Sequence, residues 1–192
     1  MLHKKIDAVA FDAMGVLYET GDDVEELLIP YLREKGCTLP DSDIEDLYRD
    51  CSLGKLSSRD FWTATDATGA SDDEYCRKHR LTPGIPDLLG ELSEDYPIAC
   101  LSNDVSEWSA LLRKRFQLDE YIGEWVISGD IGVRKPDRDA FAALCCRLGI
   151  APHHVLLVDD RTANVAAAQQ FGLDAVTFRG TKALSDDLRK LR

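Results

Sequence analysis

The run Ile6-Asp7-Ala8-Val9-Ala10-Phe11 is apolar and ends on Asp12. A carboxylate in that place is either an ordinary strand-end cap or a nucleophile presented at the mouth of a sheet. Ile98–Leu101 runs likewise into Ser102-Asn103, and Val155–Val158 into Asp159-Asp160. The segment Gly132-Val133-Arg134-Lys135-Pro136-Asp137 adds a lysine. In open α/β sheets ligands bind beyond the carboxyl ends of the strands, so parallel strands would bring these groups to one edge. Each has a plain reading by itself. Lys135 before a proline suits a solvated loop, and the paired acids suit the cap of a helix beginning near Thr162. Their conjunction, in this order, is what is specific. Three carboxylates meeting at one edge, Asp12 and Asp160 with Asp159 nearby, would hold a divalent cation.

The elements that must position them can be read from hydrophobic periodicity. Trp125–Ile127 is a further apolar run and Ala175–Phe178 a fifth. Near-continuous apolar runs fit parallel strands covered on both faces. Helical patterns lie between them at Ile85–Leu92, Trp108–Phe116, Asp139–Leu148 and Ala163–Phe171, the last stopped by Gly172. Strand–helix alternation gives an α/β fold with a doubly wound, parallel, Rossmann-like sheet. Residues 20–80 contain no strand-like run. Val24, Leu27, Leu28, Tyr31 and Leu32 recur at helical spacing, with Pro30 expected to kink or restart the helix. Ile44, Leu47, Tyr48 and Cys51 recur likewise, and Ser71-Asp72-Asp73-Glu74 forms a capping box. The expected organisation is a core of residues 1–19 and 81–192 with a small all-helical cap, 20–80, inserted after the first strand.

The 192 residues are 44% hydrophobic, enough for one good core. Lys and Arg number 23 against 35 Asp and Glu, a formal charge of −12. That balance argues against nucleic acid and anionic membrane as partners. No apolar stretch approaches the ~18–20 residues of a membrane span. The six cysteines (37, 51, 76, 100, 145 and 146) form no C-x-x-C. Met1-Leu2-His3-Lys4-Lys5 leads directly into the first run, with no leader pattern. These features fit buried, reduced cysteines in a cytoplasmic protein.

Taken together, the motifs resemble those of the haloacid dehalogenase superfamily of hydrolases over almost the whole chain. They are Asp12-Ala13-Met14-Gly15-Val16-Leu17, Leu101-Ser102-Asn103-Asp104, the lysine of "GVRKPDRDAF", and the acidic pair of "VLLVDDRTANVAAAQQFG". The helical insertion is similar to the small cap of the branch that holds dehalogenases and small-molecule phosphatases. The resemblance implies an Mg²⁺-dependent phosphatase acting on a small phosphorylated metabolite. Asp12 would attack phosphorus and form an aspartyl-phosphate. Ser102 and the Asn103 amide would hold phosphoryl oxygens, and Lys135 would neutralise charge. The implied Mg²⁺ ligands are Asp12, the Met14 backbone carbonyl, Asp160 and Asp159, with Asn164 orienting the acidic pair.

The sequence departs from this pattern at Met14. Family phosphatases usually place there an Asp that protonates the leaving group and then activates water. A thioether does neither, so slow turnover is one expectation. Glu19, Asp22, Asp23, Lys55 and His79 are candidate replacements in the insertion, none singled out by spacing. Two alternatives stand beside the phosphatase. A 2-haloacid dehalogenase also lacks the second acid, but uses no metal and has neutral residues where this chain has Asp159-Asp160. A non-catalytic regulatory or binding protein of the same fold is the other. Neither substrate identity nor oligomeric state can be read from the sequence. Arg77-Lys78-His79-Arg80 reads as a solvated face, and Phe61 and Trp62 as core.

Overall fold

The computed structural model describes residues 6–189. Five strands form one parallel sheet: β1 (Ala8–Phe11), β2 (Ile98–Ser102), β3 (Glu124–Ile127), β4 (Val155–Asp159) and β5 (Asp174–Thr177). Their spatial order is β3-β2-β1-β4-β5. Side chains of successive strand residues point to opposite faces. Val9, Phe11, Ile98, Cys100, Leu156 and Val158 accordingly enter one core. Ala10, Ala99, Leu101, Val126, Leu157 and Ala175 enter a second on the other face. Both faces are covered, which is why the strands read as apolar runs rather than alternating ones.

Between β1 and β2 the described elements are helical. A π-helical turn, Val24–Leu28, passes directly into α1 (Ile29–Glu34) with Pro30 in its first turn, the restart expected from the sequence. Ile29 still donates to Val24 O in the π pattern, and Pro30, which has no N–H to donate, falls where that pattern gives way to α-helical bonding. α2 (Asp41–Cys51) buries Ile44, Tyr48 and Cys51, α3 (Ser58–Ala64) buries Phe61, and α4 (Asp72–Cys76) buries Tyr75 and Cys76. The Ser71 hydroxyl caps α4 by accepting from the Glu74 amide. α5 (Ile85–Ser93) leads into β2 and α6 (Ser106–Arg115) leaves it. α7 (Ser128–Ile131), a short turn not anticipated from the sequence, follows β3. α8 (Arg138–Leu148) precedes β4, and α9 (Thr162–Phe171) follows it. Gly172 ends α9 at φ 110°, a conformation that favours glycine. α10 (Thr181–Arg189) closes the described chain.

The cysteine expectation needs correction. Cys37, Cys51, Cys76 and Cys100 are buried, but Cys145 is half-buried and Cys146 exposed, and all six are free thiols. Cys145 packs at the margin of the second core beside Ala140, Phe141 and Leu144, and Cys146 lies on the outer face of α8. No helix of the described residues is long and apolar enough to cross a membrane. The Met1–Lys5 reading lies outside the described residues.

Candidate active site

Sheet register sets the floor of the site. Phe11 pairs with Val158, so the next residue of each strand, Asp12 and Asp159, sits side by side at the carboxyl edge. The Asp12 amide donates to Val158 O at 2.8 Å, fixing the turn. Lys135 Nζ enters from the loop before α8 and bridges the two, at 2.8 Å from Asp12 Oδ1 and 2.7 Å from Asp159 Oδ2. Asn103 holds that lysine's backbone at both ends. Its Nδ2 donates to Lys135 O at 2.9 Å, and its Oδ1 accepts from Lys135 N at 2.7 Å. Tyr48 of α2 reaches the same strand end, its hydroxyl donating to Asn103 O at 3.1 Å.

The acids have unlike surroundings. Asp159 is fully buried and saturated: beyond Lys135 it accepts from the Arg161 amide at 2.9 Å and from Asn164 Nδ2 at 3.0 and 3.1 Å. Asn164 reaches it from the first turn of α9. Asp160 has no hydrogen-bond partner for its buried Oδ1 among the described residues. One oxygen each of Asp12, Asp159 and Asp160 lies within 4.8 Å of the others. This clustered oxygen set, with an orphaned carboxylate oxygen, fits a hard divalent cation such as Mg²⁺. Gly15, at φ +75°, allows the close approach, because a Cβ there would lie 2.3 Å from Asp160 Oδ2.

Burial raises Asp12 to about 7, although the Lys135 ammonium pulls it down; the charges of Asp159 and Asp160 push the same way as burial. Asp160 is raised by burial and by Asp159. Burial lowers Lys135, but the two carboxylates it bridges outweigh that and hold it above its usual value. One ammonium faces three carboxylates, which is the charge deficit a cation would relieve.

Above the floor is a cavity of about 250 Å³. Asp12, Met14, Ser102, Asn103 and Asn164 line it, all anticipated from the sequence. The Ser102 hydroxyl is buried and has no hydrogen-bond partner among the described residues. Of the acid candidates, Asp22 and Asp23 line the cavity, whereas Glu19, Lys55 and His79 do not. Arg49, Arg134 and Arg161 also line it and were not identified as site residues from the sequence. Arg134 bonds Ser52 Oγ and lies over the Tyr48 ring, and Arg161 Nη2 approaches Gly21 O and Asp22 Oδ2 at 3.3 and 3.5 Å. Only the "GVRKPD" context of Arg134 offered a sequence signal. Arg77 and Lys78 pair with Asp73 and Glu34 away from the cavity, and Phe61 is core.

The site is thus an aspartate at the carboxyl end of a central parallel strand of an α/β fold, bridged by lysine to a second acid, with residues of the helical segment between β1 and β2 lining the cavity above it. The family model of the haloacid dehalogenase-like hydrolases matches residues 6–172, and the chain belongs to that family. Phosphoglycolate phosphatase of Nitrosospira multiformis is 28% identical over 186 residues, 87% of this chain and 80% of its own. (S)-2-haloacid dehalogenase 4A of Burkholderia cepacia is 28% identical over 193 residues, 88% and 81%. Flavin mononucleotide hydrolase 1 of Arabidopsis thaliana is 28% identical over 109 residues; the match covers 56% of this chain but only 44% of that protein. Among solved structures, the magnesium complex of a haloacid dehalogenase-family enzyme from Bacteroides thetaiotaomicron superposes with a TM-score of 0.82 at 21% identity, covering 97% of this chain and all of that one. This last likeness is one of fold.

Proposed function

We propose that this hydrolase is an Mg²⁺-dependent phosphatase of small phosphate monoesters working through an aspartyl-phosphate on Asp12. The observation that carries the proposal is the unlike setting of the two acids after β4. Asp159 is consumed by Lys135, Arg161 and Asn164, while Asp160 keeps a buried oxygen unbonded beside Asp12. A metal-free dehalogenase would gain nothing from that second carboxylate and would bear its repulsion. Phosphatases among the relatives agree with this reading.

Asp12, Asp160 and the Met14 carbonyl would hold the ion, with Asp159 setting Lys135 rather than serving as the main ligand. When bound, Mg²⁺ supplies positive charge that favours the ionised Asp12 and offsets repulsion between two anions. The chain's own groups do the rest. Lys135 and the Ala13 amide (2.7 Å) both converge on Asp12 Oδ1, leaving Oδ2 to attack. The Ser102 hydroxyl and the Asn103 amide orient the phosphoryl group. Lys135 neutralises charge as the Asp12–phosphorus bond forms and the ester oxygen leaves. The small cavity and its three arginines suit a compact anionic substrate.

The test is a panel of phosphorylated metabolites assayed with Mg²⁺ and with EDTA, alongside chloroacetate without metal, with acid-quench trapping of the phosphoenzyme. Mg²⁺-dependent phosphate release and label on Asp12 are expected. Chloride release in EDTA with no phosphate release would overturn the proposal in favour of dehalogenation.

A further inference from the structure

Met14 leaves the leaving group without the acid that the reaction needs, so another residue has to carry its proton. We propose that Asp23 is this general acid and, in the second half-reaction, the general base; the inference rests on the phosphatase reading above. Asp23 lines the same cavity as Asp12 and Met14. Besides Asp12 and Asp23, the acids Asp22, Glu25 and Glu45 line it and Asp159 and Asp160 lie in its floor, and they differ in setting. Asp22, Glu25 and Glu45 are exposed, and Asp22 is engaged with the Glu25 amide at 3.1 Å and with Arg161. Asp159 and Asp160 belong to the cation cluster, and Asp159 is taken up by Lys135 and Asn164. Asp23 alone in the insertion wall is buried, at 5% exposure.

The loop that carries it is fixed to the floor. The Gly15 amide donates to Thr20 O at 2.8 Å. Gly21 packs so closely that a Cβ on it would lie 3.2 Å from Asp160 Oδ2. Two residues on, the Tyr75 hydroxyl of α4 donates to Asp23 Oδ2 at 2.9 Å. That bond holds one oxygen as acceptor and leaves Oδ1 as the oxygen that can carry a proton. The titratable and charged groups around Asp23 are Tyr75, Asp22, Arg134, Tyr48 and Asp104. Burial dominates among these influences and pushes the carboxyl up to about 6, against the Tyr75 bond and the Arg134 charge. A group near that value is present in both protonation states close to neutrality, as an acid–base catalyst must be.

The steps balance. Asp12 Oδ2 bonds to phosphorus, the ester P–O bond breaks, and the proton on Asp23 goes to the departing alkoxide. Water then attacks the aspartyl-phosphate and gives its proton to Asp23. The Asp12–phosphorus bond breaks, releasing inorganic phosphate and restoring both residues.

The experiment compares wild type and Asp23→Asn on p-nitrophenyl phosphate, whose leaving group needs no proton, and on an alkyl phosphate, whose leaving group does. Asn still accepts from Tyr75. We expect the p-nitrophenol burst to persist in Asp23→Asn while alkyl ester hydrolysis falls ~10²–10³-fold. Trapped phosphoenzyme should rise, and adding Met14→Asp should restore alkyl turnover. Tyr75→Phe keeps the carboxyl but removes a bond that lowers it, so the pH profile of kcat/KM should move upward. Equal loss on both esters without rescue by Met14→Asp, or wild-type alkyl turnover in Asp23→Asn, overturns the inference while the phosphatase reading stands. A wild type that releases phosphate from neither ester overturns the phosphatase reading itself.

Discussion

Asp159 and Asp160 are neighbours in sequence with opposite duties, and substitution should separate them. Asp159 is the anchor of a buried ammonium and accepts four donor contacts. In Asp159→Asn the charge-assisted bond from Lys135 is lost while its bond to Asp12 remains, and a hydrogen bond to a charged group of this kind contributes about 1.5–3 kcal/mol. Asp160 stabilises nothing comparable: burial and the neighbouring Asp159 hold its carboxyl up, and Oδ1 is unbonded. Asp160→Asn should leave folding stability within about 1 kcal/mol of wild type while weakening Mg²⁺ binding at least ~10-fold, since second-sphere changes alone typically reach that size. Urea unfolding and titration calorimetry on the two variants measure both quantities. Equal stability losses, or Mg²⁺ binding unaffected by Asp160→Asn, would contradict this division. Met14 fits the same logic, because a cation needs only its backbone carbonyl, whatever the side chain.

At the scale of elements, one side chain ties the insertion to the sheet layer. Asp72, at the start of α4, accepts from the indole N–H of Trp62 on α3 and of Trp108 on α6, both at 2.7 Å, and from the Ser58 hydroxyl at 2.8 Å. Trp108 is fully buried. Asp72→Ala strands these donors, at about 1–3 kcal/mol for each one left unsatisfied. A loss of at least about 3 kcal/mol in urea unfolding, followed by tryptophan fluorescence, is expected, and Asp72→Asn should lose less because an acceptor remains. This linkage was not legible in the sequence, although the helix and its Ser71 cap were. Local patterns survive in sequence: doubly covered strands appear as apolar runs, and a capping box is a four-residue signal. β1 and β5 were placed within about two residues for that reason. The floor of the site was legible because its acids and Ser102 end a strand or follow one, and Lys135 stands in the distinctive GVRKPD run. The walls were not. Asp23, Arg134 and Arg161 meet only because the loop after β1 folds back to Gly15 and Asp160, a long-range fact that leaves no periodicity. Spacing therefore could not choose Asp23 over Glu19, Lys55 or His79; position on the cavity wall does, and burial then separates Asp23 from exposed Asp22.

For the whole molecule, a charge of −12 makes the approach of an anion unfavourable at long range. Arg49, Arg134 and Arg161 place positive charge at the cavity among its five acids, so an anion would meet local attraction there only with the cation's help. The same low-dielectric interior sets how stability responds to pH, and two buried groups pull in opposite directions. Burial lowers His79 to about 4, and neither ring nitrogen has a hydrogen-bond partner among the described residues. Its folded value lies below the unfolded 6.5, so the stability it contributes is complete above pH 6.5 and is lost as pH falls through 4. Asp23 is raised to about 6 from 3.8. Its contribution is complete below pH 3.8 and is lost as pH rises through 6. At about 1.36 kcal/mol per pH unit, each amounts to roughly 3 kcal/mol over its range. Between pH 4 and 6 they largely offset one another. His79→Leu removes one side of this balance without breaking a hydrogen bond among the described residues, though edge contacts with Tyr75 and Tyr18 are altered. The variant should therefore gain stability relative to wild type on acidification, by about 2–3 kcal/mol between pH 6.5 and 4. Urea unfolding across that range, with wild type and His79→Leu side by side, measures the tilt. Parallel curves would show that His79 takes up its proton in the folded protein, and that its ring is less desolvated than its burial between Tyr18 and Tyr75 implies.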